Sequence, residues 1–315
     1  MLSVLVRRLA GLLVTLALAS VIVFAVLEVL PGDPARAMLG TNATPDAVEA
    51  LRERLGLDAP LPERYLAWVG GMAGGDMGRS LTYGTPVAVL IADSAAVSLP
   101  LAVAALALTI VIAVSVGIAA AARRGGRADG LIMGLTQVGV AVPNFWFAIL
   151  LVYVFAVTLR LVPSGGFPGW NEPLAAIRTL VLPALALAAP QAAILARVTR
   201  SALVEVLGAD FVRTARAKGA SRRRVLWAHA LRNALGPMVT ITGLQFAFLL
   251  SGVVIIEQVF SLPGLGRLAV QAINGGDLPV VRGVVMVLVA AVVLTNFAVD
   301  ILYAAIDPRL RHARA

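Results

Sequence analysis

Along the 315 residues, apolar runs of twenty or more side chains alternate with stretches where charges, prolines and glycines collect. An α-helix rises ~1.5 Å per residue and a bilayer's hydrocarbon core is ~30 Å thick, so runs of this length predict membrane-spanning helices. Six stand out: Leu9–Leu30, Leu99–Ala122, Leu131–Leu159, Leu174–Ala196, Leu235–Ile256 and Val284–Ala305. Pro143, Pro183, Pro190 and Pro237 lie inside or beside them. Within a membrane, neighbouring helices can satisfy the carbonyls a proline frees, so these predict kinks rather than breaks. The pattern reads as an all-α integral membrane protein with six transmembrane helices. It divides into an anchor helix over 1–30, an extracytoplasmic segment over 31–97, a five-helix core over 98–306 with a cytoplasmic loop over 198–233, and a cytoplasmic tail over 307–315.

Composition removes the soluble alternatives. With 60% hydrophobic and 14% charged residues and a mean hydropathy of +0.92, the chain carries more apolar side chain than a water-soluble interior of this size holds. There is no cysteine, hence no disulfide framework or thiolate metal site. Arg7 and Arg8 before the first run and Ala35-Arg36-Ala37 after it raise a cleaved signal peptide. An apolar core of about 22 residues exceeds the ~7–15 of a signal h-region, which favours an uncleaved anchor.

With both termini placed inside, 17 of the 26 Lys and Arg fall on the inner side against four acids, a net +13; elsewhere nine bases meet thirteen acids, a net −4. This positive-inside bias explains the overall +9 through topology and membrane lipid. The arginines are not interleaved with aromatics, so nucleic acid is not implied as a partner.

Two segments outside the predicted spans exceed simple turns. The outer one, Pro31–Val97, holds five arginines and eight acids and predicts a helix over Pro45–Leu55 capped by Thr44. In the inner one, Val198–Asn233, Asp210 is expected to cap a short helix Phe211–Lys218 that Gly219 ends in a left-handed conformation, and Ser221 to cap a second helix leading into the fifth span. Spacing puts Phe211, Val212 and Ala215 on one face of the first helix and Arg213 and Arg216 on another, as a helix seated in a partner's groove requires. An amphipathic loop lying on acidic lipid is the alternative.

The run Asp210-Phe211-Val212-Arg213-Thr214-Ala215-Arg216-Ala217-Lys218-Gly219, followed by His229-Ala230-Leu231-Arg232-Asn233-Ala234-Leu235, resembles the cytoplasmic coupling loop of ABC-importer permeases of the dipeptide, oligopeptide and nickel group. Arg213, Thr214, Ala215 and Gly219 stand where the wider permease class carries Glu-Ala-Ala and its glycine. The resemblance extends over nearly the whole chain, through Leu30-Pro31-Gly32-Asp33-Pro34, Gly75-Asp76-Met77-Gly78-Arg79-Ser80, Val142-Pro143-Asn144-Phe145-Trp146, Pro263-Gly264-Leu265-Gly266 and Asp307-Pro308-Arg309. It implies a type I ABC importer permease-like fold in a bacterial or archaeal cytoplasmic membrane. It also implies a heterodimer with a second homologous permease subunit, two ATP-binding subunits docked on the helix before Gly219, and an extracytoplasmic solute-binding protein.

Lys218 is the sole lysine, and Gly219 follows it, so no G-x-x-x-x-G-K-[ST] phosphate loop exists; ATP and Mg²⁺ are expected on partner subunits and no cofactor or metal on this chain. The Gly264-x-Gly266-x-x-Ala269 run lacks the parallel-sheet unit a dinucleotide site needs and reads as a turn or a lip facing a partner. His229 and His312 form no H-E-x-x-H, and no G-x-S-x-G is present, so no enzyme activity is expected. An ion-coupled secondary transporter is the rival, but it needs an ionisable group near the midplane. Glu28, Glu257 and Asp300 instead sit toward span ends, where snorkelling or a cross-span ion pair accounts for them. Gln137, Asn144, Gln191 and Gln245 lie deeper and are candidates for the translocation path, with interhelical hydrogen bonding as the alternative.

Overall fold

The computed structural model describes residues 2–29, 33–40, 43–54 and 56–306. Its helices are α1 (Leu2–Val29), α2 (Pro34–Leu39), α3 (Pro45–Arg54), α4 (Leu61–Ala73), α5 (Val87–Ala122), α6 (Arg127–Ala141), α7 (Asn144–Leu151), α8 (Pro173–Leu207), α9 (Asp210–Ala217), α10 (Arg222–Arg224), α11 (Leu231–Val259), α12 (Leu265–Asn274) and α13 (Leu278–Ile306). π-Helical turns extend α7 over Val152–Thr158 and join α10 to α11 over Val225–Ala230. Among the described residues there is no strand, only an isolated bridge between Arg79 and Pro86. Five segments are long and apolar enough to cross a bilayer singly: Val6–Val29, Val87–Ala122, Pro173–Leu207, Val225–Val259 and Leu278–Val299.

The apolar run expected as the third span is instead a broken helix pair, Arg127–Ala141 and Asn144–Thr158, bent by 101°, with the geometry of a broken span or a re-entrant loop. This corrects the expectation of a kink at Pro143. The proline ring disfavours helical backbone at the residue before it, and Val142 is extended (φ −82, ψ 123), so the helix stops there and restarts at Asn144. Pro183, Pro190 and Pro237 do lie within continuous helices. The second span begins at Val87 rather than Leu99. Asp93 interrupts the apolar run in the sequence, but it points outward while Val87 and Ile91 are buried.

The described chain divides into two compact units, 1–99 with 262–294 and 100–261 with 295–315, so membership does not follow chain order. In the first, Val87, Ile91, Leu265, Leu268, Ala272, Val280, Val281 and Val284 form the core. Asp277 fastens the loop before α5 to it, accepting hydrogen bonds from the Ser80 hydroxyl (2.5 Å) and the Leu81 and Thr82 amides (both 3.1 Å). The Ser98 hydroxyl accepts from the Leu265 amide at 2.8 Å, satisfying an otherwise orphan donor at the start of α12. Leu265 and Leu268 are thus held inward, and the Gly264-x-Gly266 run opens a packed helix. As predicted, Thr44 Oγ1 accepts from the Ala47 amide (3.4 Å) at the start of α3. Asp33 accepts from the Ala35 amide and from Arg52 Nη1, both at 2.9 Å. Burial would raise its carboxyl pKa, but these bonds and the Arg52 charge hold it below the ordinary value. That contribution is present at neutral pH and is lost as pH falls through the lowered pKa.

In the second unit α8 is the central helix, packed on α6, α7 and α11; 78% of its most apolar stretch is buried, against 11% for α1 in the first unit. The approach of α5 to α8 depends on Gly117, where a Cβ would stand 2.6 Å from Thr199 Cβ and 2.9 Å from the Ala196 carbonyl oxygen. Small residues at such crossings let helix backbones come close in a membrane. Gly117→Ala is expected to cost about 1–3 kcal/mol through overpacking. A lowered midpoint of thermal unfolding in detergent checks this, and an unchanged one contradicts it.

Candidate functional site: the α8–α11 bracket and its polar contacts

The connection from α8 to α11 has a definite stop and start. Helix α9 runs over Asp210–Ala217, one residue earlier than the sequence predicts. Its N-cap is Ala209, with extended backbone (φ −72, ψ 152), and no side chain caps it. Asp210 is therefore the first helical residue rather than the cap. It still places a negative charge at the positive end of the helix, and its carboxylate accepts from Arg213 Nη1 at 3.4 Å on an exposed surface.

At the other end Gly219 has φ +84, as expected, and the Gly219 amide bonds the Arg216 carbonyl (2.9 Å) while the Ala220 amide bonds the Ala215 carbonyl (3.1 Å). This pair of bonds is the Schellman C-cap, which needs a left-handed residue at the glycine's position. The Ser221 hydroxyl accepts from the Arg224 amide (3.3 Å) at the start of α10. Two helices thus meet across four residues, Lys218 to Ser221, with hydrogen bonds closing the end of one and the start of the other.

The exposed face of α9 differs from the one its spacing suggests. Val212 is fully buried and Ala215 partly so, with α9 resting on the Val225–Ala230 stretch, whereas Phe211 is 46% exposed. The chain's own core claims Val212, and the surface left open carries Phe211, Arg213, Thr214, Arg216, Ala217 and Lys218. Trp227 is also exposed.

Of the four path candidates, the structure brings two together. Gln245 Nε2 donates to the Gln191 backbone carbonyl at 2.8 Å between α8 and α11; both side chains are buried, and both Oε1 atoms lack a hydrogen-bond partner among the described residues. Gln137 is exposed and its Oε1 accepts from Arg197 Nη1 at 2.9 Å. Asn144 opens α7 beside Gly252.

Spacing in the sequence did not reveal the Asp129–Arg200 pair. Arg200 binds both Asp129 carboxylate oxygens at 2.6 Å, and the Gly125 amide adds a bond of 3.0 Å, tying the start of α6 to α8 near its exit toward α9. The partners are 71 residues apart, so no local pattern could pair them. Asp300, the acid near the end of the last span, has a side chain outside the described residues.

Comparison with known proteins agrees with this architecture. The family described as binding-protein-dependent transport system inner membrane component matches residues 113–312, and the N-terminal region of binding-protein-dependent transport system membrane components matches residues 1–102. A putative peptide transport system permease protein of Brucella abortus (strain 2308) is 43% identical over 313 residues, covering 99% of this chain and 100% of that protein. A glutathione transport system permease protein of Escherichia coli (strain K12) is 40% identical over 312 residues, with 99% and 100% covered. In fold, the chain is similar to an inward-facing structure of the MetNI methionine ABC transporter (TM-score 0.59, 20% identity, 69% of this chain and 96% of that one). Apolar spans, a capped bracket between the two most closely packed helices, and family matches over both halves lead to one conclusion: the chain belongs to the family of binding-protein-dependent transport system inner membrane components, the multi-pass permease subunits of ABC importers.

Proposed function

We propose that this chain forms half of the translocation pathway of an ATP-driven importer for di- or oligopeptides or related small solutes, nickel and glutathione included. It works beside a second, homologous permease subunit in a heterodimer. A solute-binding protein delivers cargo from the extracytoplasmic side, and both termini face the cytoplasm. Two ATP-binding subunits carry ATP and Mg²⁺ and seat on α9 and Gly219; the chain itself is non-catalytic. The observation that carries the reading is α9: anchored inward by Val212, stopped rigidly at Gly219, and presenting Phe211, Thr214 and Lys218 as an exposed stripe at i, i+3 and i+7. Such a helix transmits a push, because its orientation is fixed by its own core and its outer stripe is open to a groove. Gln191 and Gln245 lie between α8 and α11, where a change in helix packing would move them relative to any path.

The test is reconstitution in proteoliposomes. The chain assembled with its permease partner, ATP-binding subunits and binding protein is expected to accumulate peptide only with ATP inside the ATPase compartment. The chain alone is expected to accumulate none, with or without an ion gradient, and uphill accumulation by the chain alone overturns the proposal.

A further inference from the structure

We propose that the cavity between α4 and the start of α13 binds the phosphate of a membrane phospholipid headgroup. Three charged side chains meet there. Arg64 binds Glu28 through both terminal nitrogens (2.8 and 2.9 Å), and Arg282 Nη2 binds the same carboxylate through Oε1. Their side chains are only 15% (Glu28), 15% (Arg64) and 12% (Arg282) exposed. Two guanidinium groups share one carboxylate, so the cluster retains one positive charge in a largely dehydrated setting, where an uncompensated charge is costly.

The donors are not exhausted. Arg282 Nε is buried without a hydrogen-bond partner among the described residues, and the guanidinium carbon lies 4.7 Å from the Phe24 ring centroid and 6.0 Å from that of Trp68, so a donor of this cluster is still unmet. A cavity of about 450 Å³ adjoins the cluster, lined by Arg64 and Arg282 and otherwise mainly by apolar groups such as Leu57, Ala67, Leu278 and Pro279. Glu63 also lines it, but this side chain is exposed and its charge is screened by water.

Cationic donors beside apolar walls suit an anion attached to something apolar. The level in the membrane agrees: Glu28 is one residue from the end of α1, and Arg282 lies in the first turns of α13, so the cluster stands where two spanning helices leave the hydrocarbon. The chemistry required is a phosphoryl oxygen accepting from an arginine edge, which a phospholipid or free phosphate supplies; the apolar walls select the phospholipid. This inference does not depend on which solute the protein carries.

Native mass spectrometry and thermal unfolding of the purified full-length chain, titrated with dioleoylphosphatidylglycerol, dioleoylphosphatidylethanolamine, dioleoylglycerol or inorganic phosphate, test it. Wild type is expected to retain and be stabilised by both phospholipids and not by dioleoylglycerol, which has the same tails and no phosphate. Arg282→Gln is expected to weaken phospholipid retention about tenfold, the loss of one charge-assisted contact. Ala67→Phe, which fills the cavity and removes no charged group, is expected to do the same and decides the matter if Arg282→Gln fails to fold. Equal retention of dioleoylglycerol, or undiminished phospholipid binding by Ala67→Phe, overturns the site. Stabilisation by inorganic phosphate equal to that by phospholipid overturns the lipid as its occupant.

Discussion

Gly219→Val is expected to abolish coupled uptake in the reconstituted assembly while the protein still reaches the membrane and ATP hydrolysis continues. Nothing lies within 4 Å of the place a Cβ would occupy at this position, so no steric clash opposes the new side chain. The obstacle is the backbone, whose φ of +84 a β-branched residue adopts only at a cost. A left-handed conformation costs an L-residue ~1–2 kcal/mol, and more for valine, enough to shift the capped state by about 5–30-fold. Relief of that strain breaks the Gly219–Arg216 and Ala220–Ala215 bonds, and with them the fixed angle between α9 and α10. Because Val212 still anchors α9, the proposed docking is expected to persist while the proposed push is lost. Asparagine tolerates the left-handed region, so Gly219→Asn is expected to keep most of the uptake. Transport by the valine variant at the wild-type rate, or equal loss in both variants, contradicts this role for the cap. Uptake and ATPase rates measured on the same proteoliposomes separate coupling from assembly.

Glu28→Gln is expected to be the most destabilising single change in the first unit. The carboxylate is the shared counter-charge of Arg64 and Arg282, and glutamine keeps its shape while removing the charge. Two largely buried guanidinium groups would then face one another with no anion between them. Breaking a buried pair in this way costs about 3–5 kcal/mol. The midpoint of thermal unfolding in detergent is expected to fall accordingly. Adding Arg64→Gln removes one of the two unpaired charges and so their mutual repulsion, and the double variant is expected to be more stable than the sum of the single changes implies. Strict additivity, or an unchanged midpoint for Glu28→Gln, would show that the cluster is hydrated rather than buried.

The cluster also illustrates how far the amino-acid sequence can be read. Glu28 was recognisable as an acid at a span end that needs a cation, because a charge near hydrocarbon demands one. Which cation was not recognisable: the partners are 36 and 254 residues away, and several other arginines lay within the same range. The inner bracket divides in the same manner. Its length, the left-handed stop at Gly219 and the start at Ser221 are local consequences of residue type and were visible in the chain. The inward turn of Val212 and outward turn of Phe211 were not, because both satisfy the helical spacing and only the seating of α9 on Val225–Ala230 selects between them.

Hydrophobic length and charge sign are properties of consecutive residues, so the sequence alone determined that this is an all-α, multi-pass membrane protein with a basic segment before the Val225–Val259 helix, and its motifs sufficed to indicate the family. Tertiary structure alone decided that the third apolar run breaks at Pro143 through 101°, that Gln191 and Gln245 meet while Gln137 turns to Arg197, and that Asp129 locks to Arg200. Each of these depends on how helices far apart in the chain pack. Packing is a property of whole surfaces, and the period of a single helix states which residues share a face without stating what that face will meet.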